Sequence, residues 1–121
     1  MDKHLLLALF HIVLVVPFFL YIGFQRAATP EWVYNVLFGL GLFILAYHGV
    51  MAGIRLLSQS MGAWINVIHA LIVAPLMIYI GYYGKKTPRP AYEMMLMVAF
   101  AALGYHLQSL IVATQTFMKD D

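Results

Sequence analysis

The sequence predicts an all-α fold: an integral membrane four-helix bundle made of two tandem parallel-repeat helical hairpins. Three observations lead there. Hydrophobic residues make up 64% of the 121 residues and charged ones 10%, with a mean hydropathy of +0.86, a composition far from that of soluble domains. Four apolar windows each reach the roughly 20 residues that a helix needs to cross a hydrocarbon core of about 30 Å. Sliding the chain by 58 residues also lays one half on the other without a gap: His11 falls on His69, Pro17 on Pro75, Tyr21-Ile22-Gly23 on Tyr79-Ile80-Gly81, Thr29-Pro30 on Thr87-Pro88, Tyr34 on Tyr92, and Tyr47-His48 on Tyr105-His106. Apolar segments aligned by chance would match mainly at Leu, Ile and Val. Here those have drifted, while His, Pro, Tyr, Gly and Thr have stayed.

The windows lie near residues 4–24, 32–56, 62–83 and 91–117, giving a first two-helix repeat over 1–57 and a second over 62–121. Backbone groups in lipid must be satisfied internally, which makes helices of all four. Met1-Asp2-Lys3 ahead of an apolar run has the look of a signal peptide, with Ala27-Ala28 near a cleavage point. The repeat argues against removal, because its counterpart lies in mid-chain, so the first segment is expected to stay in the mature protein. Pro17 removes a backbone donor and frees the carbonyl of Val13, predicting a kink half-way across, and Pro75 repeats it in the third helix.

Each of these helices runs into Tyr-Ile-Gly and a short polar loop ending in Thr-Pro. That suits a capped start for the next helix with Pro in its first turn. Trp32, Tyr34, Tyr82, Tyr83 and Tyr92 cluster around the two loops, as interfacial aromatic anchors do. The halves are joined by the brief polar link Ser58-Gln59-Ser60-Met61-Gly62. Gly39, Gly41, Ala99, Ala101, Ala102 and Gly104 are candidates for close helix approach. Gly49-Val50-Met51-Ala52-Gly53 matches the small-xxx-small packing pattern.

An even number of helices per repeat orients both halves alike, with a pseudo-two-fold along the membrane normal. Termini and link then share one side, and the Thr-Pro loops the other. Arg26, Lys85, Lys86 and Arg89 on the loop side, against Lys3, Arg55 and Lys119, favour cytoplasmic loops.

Several chemistries are disfavoured. The formal charge of +2 comes from few residues at segment ends and offers no nucleic-acid footprint. With no cysteine, disulfides, thiolate metal sites and iron–sulfur clusters drop out. Glu31 and Glu93 fall at loop-side helix starts, so no carboxylate lies deep inside a helix and di-iron or carboxylate relay sites are disfavoured. No Ser-His-Asp set, phosphate loop or H-E-x-x-H spacing occurs. The eight methionines are read as apolar filling.

What remains is a histidine on each window. At 1.5 Å per residue His11 lies roughly 10 Å into the first helix and His48 roughly 12 Å from the far end of the second, on the same side. With His69 and His106 they are expected to form one layer. Inward histidines from facing helices are a usual way to hold haem or a metal. His48 and His106, repeat counterparts near Ala46, Ala52, Ala102 and Gly104, are the expected axial iron ligands of a b-type haem, with His11 and His69 the other pair or a supporting shell. Arg55, seven residues after His48, shares its face and is placed to meet a propionate. His4 precedes His11 by the same interval, Asn66 lies one turn before His69, and Ser109 one turn after His106.

Two other readings use the same residues. Histidines in membrane helices also simply bond across an interface, at about 0.6 kcal/mol each, which describes a structural subunit of a larger membrane complex or a homo-oligomer. Titrating histidines could instead line a proton or cation pathway. The hairpin pattern His-x5-Pro-x3-Tyr-Ile-Gly-x5-Thr-Pro-x3-Tyr-x12-Tyr-His resembles uncharacterised small membrane proteins encoded by large DNA viruses of algae and protists. That resemblance implies a virion or host-organelle membrane and carries no activity.

Overall fold

A computed structural model describes residues 3–120, which are helical almost throughout and contain no strand. The elements are α1 (Lys3–Phe10), a π-helical turn (His11–Val15), α2 (Val16–Gln25), a 3-10 turn (Arg26–Ala28), α3 (Glu31–Leu57), α4 (Ala63–Ile68), a second π turn (His69–Val73), α5 (Ala74–Tyr83), a 3-10 turn (Gly84–Lys86) and α6 (Arg89–Asp120). They make four helical spans, Lys3–Ala28, Glu31–Leu57, Ala63–Lys86 and Arg89–Lys119, each long and apolar enough to cross a membrane.

The prolines act through a changed hydrogen-bond register. Pro17 and Pro75 have no N–H, and their rings would crowd the carbonyl four residues back. In both spans the helix widens just before the proline. The Val16 N–H bonds the His11 carbonyl and the Ala74 N–H bonds the His69 carbonyl, five residues back instead of four. Where a kink from a freed Val13 carbonyl was expected, each span carries a π turn that opens at its histidine.

The loops repeat too. Thr29 and Thr87 N–H groups bond the carbonyls of Arg26 and Gly84, and Val33 and Ala91 N–H groups those of Pro30 and Pro88. Both turns start in the left-handed region, Arg26 at φ 51° and Gly84 at φ 56°. Glycine adopts this freely, whereas for Arg26 it costs about 1–2 kcal/mol. The expected capping differs in detail. Pro30 occupies the cap position before Glu31, and neither threonine hydroxyl caps, since Thr87 Oγ1 donates back to Ile80 O and Thr29 Oγ1 is buried with no partner in the protein.

The second span stops at a sequence-local signal. Gln59 adopts φ 56° while Ser60 N–H bonds Arg55 O and Gln59 N–H bonds Leu56 O, the paired bonds of a Schellman stop with Gln where Gly is usual.

The chain divides into two compact units, Met1–Gln25 with Glu93–Asp121, and Arg26–Tyr92. In the second unit, α3 packs along α4, the π turn and α5. Glycines decide how closely. A Cβ on Gly81 would lie 2.6 Å from the Phe38 backbone N, and one on Gly41 would lie 2.9 Å from the Ile78 side chain. Gly39, Gly49 and Gly53, expected at an interface, have no atom within 4 Å of where a Cβ would stand. Their spacing is right for a helix seam but lies on another face from the one that meets α5. Leu37, Met77 and Ile80, on the same two spans, are fully buried. In the first unit Val16, Phe19, Ile22, Met95 and Ala99 are buried.

Candidate histidine site

The four span histidines are brought together two by two. In the second unit the rings of His48 and His69 stack with centroids 4.4 Å apart and planes at 19°. In the first unit His11 and His106 stack at 4.2 Å and 20°. The two stacks are counterparts in the 58-residue register, each joining a ring from a π-turn span to one from an uninterrupted span. Each uninterrupted-span ring also has its preceding tyrosine edge-on: Tyr47 to His48 at 5.0 Å and 88°, Tyr105 to His106 at 5.3 Å and 84°. All four imidazoles are half-buried.

Local bonds orient three of them. His11 Nδ1 lies 2.8 Å from Leu7 O and His69 Nδ1 lies 2.7 Å from Ile65 O, each one turn back on its own helix. A carbonyl only accepts, so both Nδ1 atoms carry a hydrogen, which in a neutral ring leaves the lone pair on Nε2. His48 Nδ1 lies 2.9 Å from Asn66 Oδ1. Asn66 Nδ2 faces Gly62 O at 3.5 Å, an orientation that turns Oδ1 to the ring, so His48 donates from Nδ1 as well. Oxygen partners on Nδ1 are what metal-ligating histidines commonly have, because they fix the ring and raise the basicity of Nε2.

The other expected residues fall as follows. His48 and His106 belong to different compact units. Arg55 is half-buried and bends toward the link, its Nη1 being 3.6 Å from where a Cβ on Gly62 would stand. Asn66, placed by spacing on the face of His69, serves His48 on the neighbouring span. Ser109 Oγ bonds Tyr105 O on its own helix at 3.1 Å. His4 is exposed in α1. Among the described residues no group of three or more His, Asp or Glu side chains is gathered as if around a metal ion.

A second cluster, at the loops, departs from expectation. Tyr34 and Tyr92 are 0% and 2% exposed, so they are not interfacial anchors, whereas Trp32, Tyr82 and Tyr83 are exposed as anchors should be. The Tyr34 hydroxyl lies 2.7 Å from that of Tyr92 and 2.6 Å from Arg26 O, while Tyr92 OH lies 3.0 Å from Gly84 O. Three contacts share two hydrogens. The shorter distances assign Tyr34 as donor to Arg26 O and Tyr92 as donor to Tyr34, leaving Gly84 O to the Thr87 N–H. Lys85 Nζ then ties the loops together, donating to Ala27 O at 3.0 Å and Thr29 O at 3.1 Å. The signal for this knot was in the sequence, where the two tyrosines match at the 58-residue offset, but proximity to the loops made them look like surface residues.

Comparison with protein families, curated proteins and solved structures found no match to this chain.

Proposed function

We propose that this is a small multi-pass membrane protein whose histidines ligate a cofactor through Nε2, with b-type haem the group that suits an all-imidazole donor set lacking thiolates and carboxylates. The observation that carries the reading is the Nδ1 bonding. His11, His48 and His69 each donate from Nδ1 to an oxygen, which in a neutral ring leaves the lone pair on Nε2. His48 and its counterpart His106 are the proposed iron ligands, with His69 and His11 as the rings stacked on them and Arg55 as the proposed partner of a propionate. Electron transfer, haem handling and oxidant sensing all use such a site.

The test is an absorption spectrum of detergent-purified protein made with ample haem, oxidised and then reduced, beside a His48→Ala/His106→Ala double variant. A Soret band with sharp reduced α and β bands, lost in the variant, is the expected result. A featureless visible spectrum would end the haem reading.

One observation favours a second reading, a structural subunit of a larger membrane assembly. His48 and Asn66 join the second and third spans directly, as an interhelical hydrogen bond does. On that reading the double variant folds and assembles as the wild type does. The repeat architecture with its axis along the membrane normal, the cytoplasmic loops, and the virion or organellar membrane implied by the viral resemblance belong to the proposal as well.

A further inference from the structure

The loop face of the second unit has a chemistry that the histidine reading does not use. Four cations, Arg26, Lys85, Lys86 and Arg89, outnumber the two carboxylates near the loops, Glu31 and, one turn after Arg89, Glu93. Arg26 stands in one 3-10 turn, Lys85 and Lys86 in another from the opposite sequence half, and Arg89 opens α6. The two 3-10 turns lie against each other, and Lys85 fastens them by bonding Ala27 O and Thr29 O. Arg26, Lys85 and Lys86 are therefore presented by one fixed surface rather than by two separate loops, with Arg89 three residues beyond Lys86. Lys86 and Arg89 are exposed. Arg26 is half-buried, with its Nε sealed from solvent and lacking a partner in the protein, so its guanidinium is held at the turn instead of trailing freely.

This surface caps the ends of apolar spans and is flanked by exposed Trp32, Tyr82 and Tyr83, side chains suited to headgroup depth. At that depth the anion at hand is the lipid phosphate. We propose that the loop face binds the headgroup phosphate of anionic phospholipids, with Lys86 and Arg89 meeting the charge, Arg26 supporting it from the turn, and Lys85 acting as a positioning residue. Juxtamembrane cations contribute to anionic lipid binding one by one, which corresponds to about fivefold in retention per charge.

The experiment exchanges the full chain into nanodiscs of phosphatidylcholine with a minor share of phosphatidylglycerol, and native mass spectrometry counts the lipids kept. The wild type is expected to retain phosphatidylglycerol preferentially. Lys86→Gln should cut that preference about fivefold and Lys86→Gln/Arg89→Gln about thirtyfold, while Lys119→Gln, near the far end of the helix that Arg89 opens, leaves it unchanged. Because Lys86 is exposed, its single variant keeps the test intact even where the double variant folds poorly. Equal retention of both lipids by the wild type would overturn the proposal, as would a preference that survives Lys86→Gln, or one lost equally on Lys119→Gln. Inorganic phosphate displacing phosphatidylglycerol as well as added lipid does would also overturn it, by making the site one for a free anion.

Discussion

The loop end and the histidine end of the second unit both carry residues that recur at the 58-residue offset, yet they use them in opposite ways. At the loop end, counterpart residues meet each other. Tyr34 bonds Tyr92, the turn at Arg26 lies against the turn at Gly84, and both tyrosine hydroxyls are sealed from solvent with partners. At the histidine end, counterparts do not pair within a stack. His48 meets His69, whose own counterpart is His11, and the rings remain half-exposed. Mutual bonding between counterparts builds a rigid hub that is hard to open. Stacking of unlike positions leaves edges of rings accessible, which is what a ligand site requires. On the proposed reading, the hub ties the loops together and the stacks carry the ligand.

The largest effect expected to test that division comes from backbone contact rather than from either cluster. Gly81→Val drives a side chain into the Phe38 backbone, and overpacking of this kind costs about 3 kcal/mol or more. Detergent unfolding, thermal or by SDS, reads it, and near-wild-type stability would mean that the second and third spans are not in glycine-mediated contact. Next come the tyrosines. Tyr34→Phe removes one donated and one accepted bond, for about 2 kcal/mol, whereas Tyr92→Phe removes one, for about 1 kcal/mol. The double variant should cost less than the two together, because they share a contact. Equal single effects would refute the hydrogen assignment, and strict additivity would refute the hub.

Smaller still is Asn66→Leu, which leaves the His48–His69 stack but removes the bond across the spans. About 0.6 kcal/mol of stability is expected to go. If the cofactor reading holds, a haem spectrum should broaden or shift as the His48 ring loses its orientation; an unchanged spectrum together with lost stability would make Asn66 purely a packing residue. Smallest is Gly49→Ala. With open space around it, this should change stability by less than about 1 kcal/mol, in the stabilising direction if helix propensity dominates. A large loss would place an unseen interface on that face.

The extent of each span was legible in advance because it depends on local apolar length. The observed spans differ from expectation by a few residues at most, the fourth, for example, already beginning at Arg89. The pairing of Asn66 was not legible. Helical spacing reports which residues share a face of one helix, and Asn66 and His69 do share one, but it says nothing about the neighbour opposite. The tyrosines failed for a related reason: an aromatic residue near a loop looks the same in sequence whether its hydroxyl faces water or another hydroxyl. Gly49 and Gly53 failed because a helix carries several faces with small residues, and only one of them meets α5.

By itself, then, the sequence determined the helical class, the four apolar spans, the register of 58 residues and the presence of histidine on every span, since each follows from composition, length or identity along the chain. Only the tertiary structure decided that the prolines are accommodated by π turns opening at His11 and His69, that Gly41 and Gly81 are the close contacts, that Tyr34 and Tyr92 share hydrogens, and that His48 stacks on His69 and His11 on His106. Those outcomes depend on which helix faces meet and at what rotation, and that is set by side-chain packing between spans far apart in sequence, to which a one-dimensional periodicity is blind.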